Sequence, residues 1–415
     1  MENKKTNSNQ QGTVPAIIAF VGIVLILFII ALMNAPTMGG ARVMSSVKNY
    51  FTEVRATALP FMAVVTLFAI IAGFLIAREV KKVWPDPRKR KEFLTGYAFL
   101  APYLIVTLTF TIGVILFALY ISFNKYDIFT RPEWIGLANY KEAFAGFTDS
   151  TKRDFLQALY NVLWYAAIVV PVQTILALRM ATLLNAPVKF KQFFRTVFYA
   201  PSVTSSVVIT LIFIWLYLKN GYLNYFLQSI LGWVGIDFTP IAWLGDPRGL
   251  IQLVVEAFGG TIPSSQWYFR GPSIAWMAIM FQNIFTTVPT FMIMYLAALQ
   301  DINPALYEAA SIEGANKRDV FKKITRPLLK PITMMIVVLG TIGTLQIFDQ
   351  VYLATSGGPL KTSLTPVYLI FTEALGVNGP ITMGYASALA FILAAIIFAL
   401  TFLQRRILTK GTEMY

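Results

Sequence analysis

Two apolar stretches of this 415-residue chain carry polar groups that a bilayer interior disfavours. The segment "FQNIFTTVPT" brings Gln282, Asn283, Thr286 and Thr287 close together, with Pro289 behind them. The segment "TIGTLQIFDQVY" carries Thr341, Thr344, Gln346, Phe348, Asp349 and Tyr352. An Asp near the membrane midplane costs roughly 2.5–3.5 kcal/mol on insertion scales, so such residues need a use. Amides, hydroxyls and rings exchange hydrogen bonds and stack on apolar faces. They can hold and pass a neutral polar solute without breaking its bonds. Thr344 precedes Phe348 by four residues, so an unbroken helix puts a hydroxyl and a ring on one face. Pro289 frees a carbonyl, which would kink its helix and widen a cavity. The alternative use of all these groups is hydrogen bonding between helices of a bundle.

Bond-making chemistry is poorly provided for. The chain has no Cys and no His. That removes disulfides, Cys metal sites, thiol chemistry and the commonest general base. No pair of carboxylates falls inside an apolar stretch, so no catalytic, cofactor or metal residue is expected. "SGGPLKTS" (Ser356 to Ser363) is superficially like a phosphate-binding loop, but Leu360 rather than Gly precedes Lys361. Energy from ATP would therefore enter through another chain. The net charge of +14 does not call for nucleic acid. The basic residues cluster beside apolar stretches, where topology and anionic lipid headgroups account for them.

The elements that carry these residues are long and apolar. The chain is 57% hydrophobic and only 13% charged, with a mean hydropathy of +0.64. A soluble domain is about 25% charged. Runs long enough to cross a bilayer are predicted at about 16–33, 57–77, 97–123, 156–183, 196–218, 273–297, 331–353 and 381–404. This is an all-α membrane protein of about eight transmembrane helices. The first run exceeds the roughly 7–15 residues of a signal-peptide core, so it is read as a retained anchor. With the N-terminus inside, 21 of the 34 Lys and Arg residues fall in inside segments and 12 in outside loops. That bias predicts two cytoplasmic termini. The remaining one, Arg179, snorkels near the cytoplasmic end of its span. The outside loop 219–272, with Trp243, Trp267 and Tyr268, is either a docking surface or an interfacial aromatic belt.

The inside segment 299–330 is more structured than a connector needs to be. Asn303 can cap a helix with Pro304 at its first position. Gly314 can take the left-handed conformation that ends it. Asn316, with Asp319 three residues on, starts a second short helix, and Pro327 and Pro331 limit its continuation into the next span. Leu306, Ala309, Ala310 and Ile312 give the first helix a small, apolar surface outside the bilayer, and Val320, Phe321 and Ile324 extend it. Such a hairpin docks into a partner, packs on its own membrane domain or lies in the interface.

The pattern E-A-A, three residues, G, nine residues, I, two residues, P comprises Glu308, Ala309, Ala310, Gly314, Ile324 and Pro327. It resembles the cytoplasmic EAA loop of binding-protein-dependent ABC importer permeases. Arg326 stands where that family usually has Leu. "YAFLAPYLIV", "FRTVFYAPSV", "LAALQDINPALYEAA", "ATSGGP" and "GYASAL" extend the resemblance over roughly 95–410 and place it in the carbohydrate branch. The eight-span layout is similar to the larger membrane subunit of maltose and maltodextrin importers. The resemblance implies a six-helix core at 95–415, with its coupling loop at about 303–327. Residues 1–94 then form an N-terminal extension of two helices and a basic linker. It implies that the loop fits a groove on an ATPase subunit, and that Gln282, Asn283, Thr286, Thr287, Thr344, Gln346, Phe348, Asp349 and Tyr352 lie on sugar-lining helices. It further implies a second permease subunit, two ATPase subunits holding ATP and Mg, an extracellular sugar-binding protein, and a place in a prokaryotic cell membrane. A secondary carrier or channel is the alternative. Such carriers show half-repeats and deep ionisable residues; here no repeat is evident and Asp349 is the one deep acidic candidate.

Overall fold

The computed structural model describes residues 78, 86–186, 189–377 and 379–409. The expected spans 16–33 and 57–77, and with them the two-helix extension, lie outside the described residues. The chain divides into two compact units, 1–116 and 117–415. In the first, helix α1 (Pro87–Val106) starts at Asp86, whose Oδ1 accepts from the backbone N–H of Arg88 at 2.9 Å. A π-helical turn, Thr107–Gly113, leads into α2 (Val114–Ser122), within which the division falls.

The second unit is a helical bundle. A two-residue antiparallel ribbon pairs β1 (Asn124–Lys125) with β2 (Glu133–Trp134), setting Asn124 opposite Trp134. After the short helix α3 (Ala138–Ala143) comes α4 (Asp154–Asn185), the longest element and the spine of the fold. It buries Phe155, Ala158, Val162, Tyr165 and Val169 toward one end and Ala177, Ala181 and Leu184 toward the other. These steps of three and four trace one helical stripe. The end where α4 begins is called the head below, and the end where it finishes the foot. Helix α5 (Lys191–Val203) and helix α6 (Ser206–Leu216) follow, then α7 (Tyr222–Trp233) and α8 (Leu250–Ala257) near the head. Helix α9 (Ile274–Asp301) packs along α4 from head to foot. At the foot lie α10 (Pro304–Ile312), α11 (Lys317–Val320) and the single turn α12 (Arg326–Leu328). Helix α13 (Lys330–Leu345) returns along α4, and α14 (Asp349–Ala354), α15 (Pro366–Leu375) and α16 (Met383–Thr409) complete the unit.

Interior packing is tied by a few long-range hydrogen bonds. Trp276 is fully buried; its Nε1–H donates to the Asn161 carbonyl at 2.8 Å, and its ring lies 4.7 Å from that of Tyr165. The Asn161 amide in turn donates to the carbonyls of Lys361 and Leu364, both at 2.9 Å. One asparagine therefore joins α4, α9 and the 355–365 loop. Each buried amide bond contributes about 0.5–1.5 kcal/mol net and costs more when left half made.

Among the described residues, four helical stretches are long and apolar enough to cross a membrane: Asp154–Asn185, Ile274–Asp301, Lys330–Ala354, which takes in both α13 and α14, and Met383–Ile407. They match the expected spans 156–183, 273–297, 331–353 and 381–404. The expected span 196–218 is not one helix. It is broken between α5 and α6, which are bent by 95°. Pro201 removes one helical donor, and the hydroxyls of Ser202 and Thr204 bond back to the Tyr199 and Ala200 carbonyls at 2.8 and 2.9 Å. These bonds compete with continued helix. In the 97–123 region, Phe110–Ser122 is a shorter apolar helix. The prolines at 327 and 331 flank a break. A π-helical turn at Phe321–Thr325 widens the backbone ahead of Pro327, the single turn α12 stops at Leu328, and Leu329, at φ −82° and ψ −2°, separates it from α13, so the break falls between the two prolines as expected.

Candidate functional site

At the foot, the 303–316 backbone closes on itself through short-range bonds. Asn303 Oδ1 accepts from Ala305 N–H at 3.0 Å, with Pro304 at the start of the helix. At the other end Gly314 has φ +75°. Its N–H donates to Ser311 O at 3.1 Å, and that of Ala315 to Ala310 O at 2.9 Å. This paired closure is the Schellman arrangement, which satisfies the last carbonyls of the helix. Asn316 Oδ1 then accepts from Arg318 and Asp319 N–H at 3.0 and 2.9 Å, starting α11. A contact between Tyr307 Oη and Thr325 Oγ1 at 3.2 Å holds the two arms together.

Of the residues named from the EAA pattern, Ala310 is buried, Ile324 and Pro327 are half-buried, and Glu308, Ala309 and Gly314 are exposed. Glu308 stands in the second turn of α10, not the first. Ile312 is 88% exposed, and Leu306 is also exposed. The hairpin thus turns two large apolar side chains away from its own chain. Behind it a cavity of about 420 Å³ separates Tyr307, Lys317 and Phe321 from the ends of α4 and α9.

Higher in the bundle the expected solute-lining residues divide into two groups. Gln282 is buried, and its Nε2 donates to Thr210 Oγ1 of α6 at 2.6 Å. Thr286 bonds to its own helix through Asn283 O at 3.0 Å, and Thr287 reaches Asn283 Oδ1 at 3.4 Å. Thr344 is buried and donates to Thr341 O at 3.0 Å. Helix α9 runs unbroken through a buried Pro289. These polar groups therefore serve contacts within and between helices.

The second group surrounds a break. Helix α13 stops at Leu345; Gln346 caps it, and Phe348, at φ −137° and ψ −60°, starts α14. Thr344 and Phe348 consequently do not share a helix face, contrary to their spacing. The carbonyl of Ile347 in the break accepts the Thr365 hydroxyl at 3.3 Å, and Thr365 Oγ1 also caps α15 by accepting from Tyr368 N–H. Helix α14 packs on α6. Around the break four rings converge. Phe348 stacks on Tyr352 at 5.5 Å, and Phe371 lies 5.1 and 5.4 Å from them. Tyr368 lies 6.4 Å from each of the other three. Of the quartet Tyr352 is exposed, and so are Gln346 and Asp349, which adjoin Phe348 in the chain. Irregular backbone at membrane depth persists only where protein buries it or water lines it. An aromatic face flanked by an amide and a carboxylate suits a polyhydroxylated ligand.

Sequence reasoning missed Thr365, Tyr368 and Phe371. Helix α15, of 10 residues, is too short to register as a span and lies between the expected spans 331–353 and 381–404. The signal was present as "TPVYLIF", a Thr cap followed by Pro and rings three residues apart.

At the head, Trp243 turns inward. Its Nε1–H donates to Asn224 Oδ1 at 2.9 Å, and the Asn224 amide donates to Ile241 O at 2.8 Å. Trp267 is half-buried beneath the Arg153 guanidinium, and Tyr268 is exposed. Arg248 clasps Asp246, with Nη2 to Oδ2 at 2.6 Å, and this hydrogen-bonded guanidinium holds the Asp246 carboxyl below its usual range.

The chain is 33% identical over 315 residues to the probable ABC transporter permease protein YesP of Bacillus subtilis (strain 168), covering 75% of this chain and 89% of that one. It is 32% identical over 253 residues to the lactose transport system permease protein LacF of Rhizobium radiobacter, covering 60% and 74%. It shares a fold, at TM-score 0.59 and 19% identity, with a chain in the crystal structure of a bacterial alginate ABC transporter in complex with an alginate pentasaccharide-bound periplasmic protein, covering 81% of this chain and 97% of that one. The profile described as "Binding-protein-dependent transport system inner membrane component" matches residues 173–410, more than half of the chain, and the chain belongs to that family.

Proposed function

We propose that this chain is a permease subunit of an ATP-driven importer for a sugar or oligosaccharide. The observation that carries the reading is the foot hairpin, closed by its own caps yet presenting Ile312 and Leu306 to the outside. A helix outside the bilayer with unpartnered large apolar side chains fits the groove of another protein. In this reading Glu308, Ala309, Ala310, Gly314, Ile324 and Pro327 form the joint to an ATPase subunit, and the foot is cytoplasmic. Two such ATPase subunits hold ATP and Mg, and closing them draws the hairpins of two permease subunits together. The chain has no catalytic residue of its own and spans the cell membrane about eight times, with both termini inside. A binding protein delivers the sugar at the head, and the quartet at the α13–α14 break, with Gln346 and Asp349, lies on the path. The named sugar relatives support the substrate class. Co-purification from the native membrane tests the reading: an ATPase subunit should accompany the chain, whereas uptake by the chain purified and reconstituted alone would indicate a secondary carrier or channel.

A further inference from the structure

The head holds a cavity of about 200 Å³ whose lining shares no residue with the ring quartet at the α13–α14 break. Tyr160 and Asn161 of α4, Arg248 just before α8 and Gln252 within it, Trp267, Arg270 and Thr362 line it, so four separate chain segments meet there. Most of its polar groups are already engaged. The Tyr160 hydroxyl donates to Tyr268 O at 2.6 Å, and Thr362 Oγ1 to Pro359 O at 2.8 Å. Gln252 Nε2 donates to Glu256 at 2.8 Å, and Arg248 is forked onto Asp246. Arg270 is the exception. Among the described residues its side chain has no ion pair and no hydrogen bond, and its Nε is buried. A guanidinium partly withdrawn from water without an anion is costly.

The position of Arg270 is nonetheless firmly set. Its carbonyl accepts from Ile251 and Gln252 N–H at 3.1 and 3.2 Å, and its N–H donates to Trp267 O at 3.2 Å. Gly249 permits this approach: a Cβ there would lie 2.0 Å from Arg270 O. Trp267 and Tyr160 meet edge to face at 5.1 Å and form an aromatic wall. A planar, fixed fork of N–H donors matches the two oxygens of a carboxylate.

We propose that this cavity is a carboxylate-binding site, with Arg270 as its anchor. Resting on the importer reading, which puts the head outside the cell, the carboxylate belongs to an acidic sugar or to an acidic side chain of the delivering protein. The cavity admits one such group with the ring or short chain that bears it.

Saturation-transfer NMR on the purified permease–ATPase complex tests the site with three probes: D-glucuronate, the α-amide of N-acetyl-L-glutamate, and D-glucose. At least one carboxylate should bind saturably where glucose does not. Glucuronate binding the more strongly identifies the sugar as the source; the glutamate derivative binding as well or better identifies a protein side chain. Arg270→Gln should weaken binding about tenfold or more, the scale of a charge-assisted pair. Arg270→Lys, which keeps the charge and loses the fork, should retain part of it and covers the case in which the Gln variant fails to fold. No carboxylate binding to the wild-type complex, or equal binding in a folded Arg270→Gln or Arg270→Lys complex, overturns the site. Sugar-stimulated ATP hydrolysis by the same complex separates the two ideas. Normal hydrolysis without carboxylate binding sinks the site alone, and carboxylate binding by a chain that captures no ATPase sinks the importer reading alone.

Discussion

The foot hairpin and the break between α13 and α14 are both departures from regular helix, and they are built in opposite ways. The hairpin draws its turn and caps from its neighbours in the chain: Asn303 to Ala305, Ala315 to Ala310, Asn316 to Asp319. The break draws its satisfaction from afar, with Thr365 supplying the hydroxyl that Ile347 O accepts, and Tyr368 and Phe371 supplying half of the ring cluster. A locally closed unit keeps its shape when a partner leaves, which suits a joint. A break held by another segment changes when that segment moves, which suits a pathway that must open and close.

The largest effect expected from breaking this contrast is at the hairpin. A Cβ at Gly314 would meet nothing within 4 Å, so Gly314→Trp adds strain of roughly 1–2 kcal/mol from its left-handed φ and otherwise projects outward. Glu308 is exposed, so Glu308→Lys changes surface charge alone. Both variants should insert and fold, yet lose ATPase association or sugar-stimulated hydrolysis by about tenfold or more, the scale of a hot-spot residue. Pull-down and ATPase assays on the reconstituted complex check this. Normal values in both variants would remove the hairpin from its coupling role.

Removing the distant tie should act on the break and spare the hairpin. Thr365→Val strips the hydroxyl from Ile347 O and from the α15 cap at nearly constant volume. A cost of about 1–3 kcal/mol is expected, seen as a lower Tm together with impaired uptake, while ATPase capture is unchanged. An unchanged Tm would show that the break does not depend on Thr365.

Smaller and more selective effects belong to the exposed polar groups beside the rings. Gln346→Ala and Asp349→Asn should shift the KM of uptake by severalfold, about 1 kcal/mol or one hydrogen bond each, with assembly intact. Wild-type kinetics in both, for every accepted sugar, would take the α13–α14 face off the path.

The smallest effect concerns the Asp246–Arg248 clasp. The folded carboxyl lies below its ordinary range because of the Arg248 hydrogen bond. Its contribution is therefore present above the unfolded pKa of about 3.9 and is lost as pH falls through the lower folded value. Since the Arg248 side chain is 54% exposed, less than about 1 kcal/mol is expected. Asp246→Asn should lower Tm slightly at neutral pH, and the gap from wild type should close in acid. A gap that persists at the lowest pH would assign the effect to packing.

The same contrast explains which features could be read in advance. The hairpin's cap residues, its glycine and its two arms were legible because their bonds span two to five residues. Its prolines flank the break at Leu329 as read, but the π turn ahead of Pro327 was not foreseen, since no local rule marks where a helix will widen. The long helices α4, α9, α13 and α16 were legible from continuous apolarity. The 95° bend between α5 and α6 was not, although Pro201, Ser202 and Thr204 stood in view, because hydroxyls bond back in straight helices too. Polar residues in the spans were correctly found but only partly assigned. Gln282 turns to Thr210, and in the 219–272 loop Trp243 turns to Asn224, partners that no spacing rule identifies.

Residue types and their local order were sufficient for a mostly helical, membrane-spanning chain without thiol or imidazole chemistry, for its long helices, and for a capped hairpin; that Ile312 and Leu306 turn outward from it was settled only by the fold. Hydropathy and capping act over one or two turns, so they can be read along the chain. Tertiary structure decided where a span breaks, which rings gather at the break, and that Arg270 in the head cavity has no anion beside it among the described residues. Helical hydrogen bonds in an apolar interior are given up only where another segment supplies the missing partner, and a charge is left uncompensated only by the sum of everything folded around it.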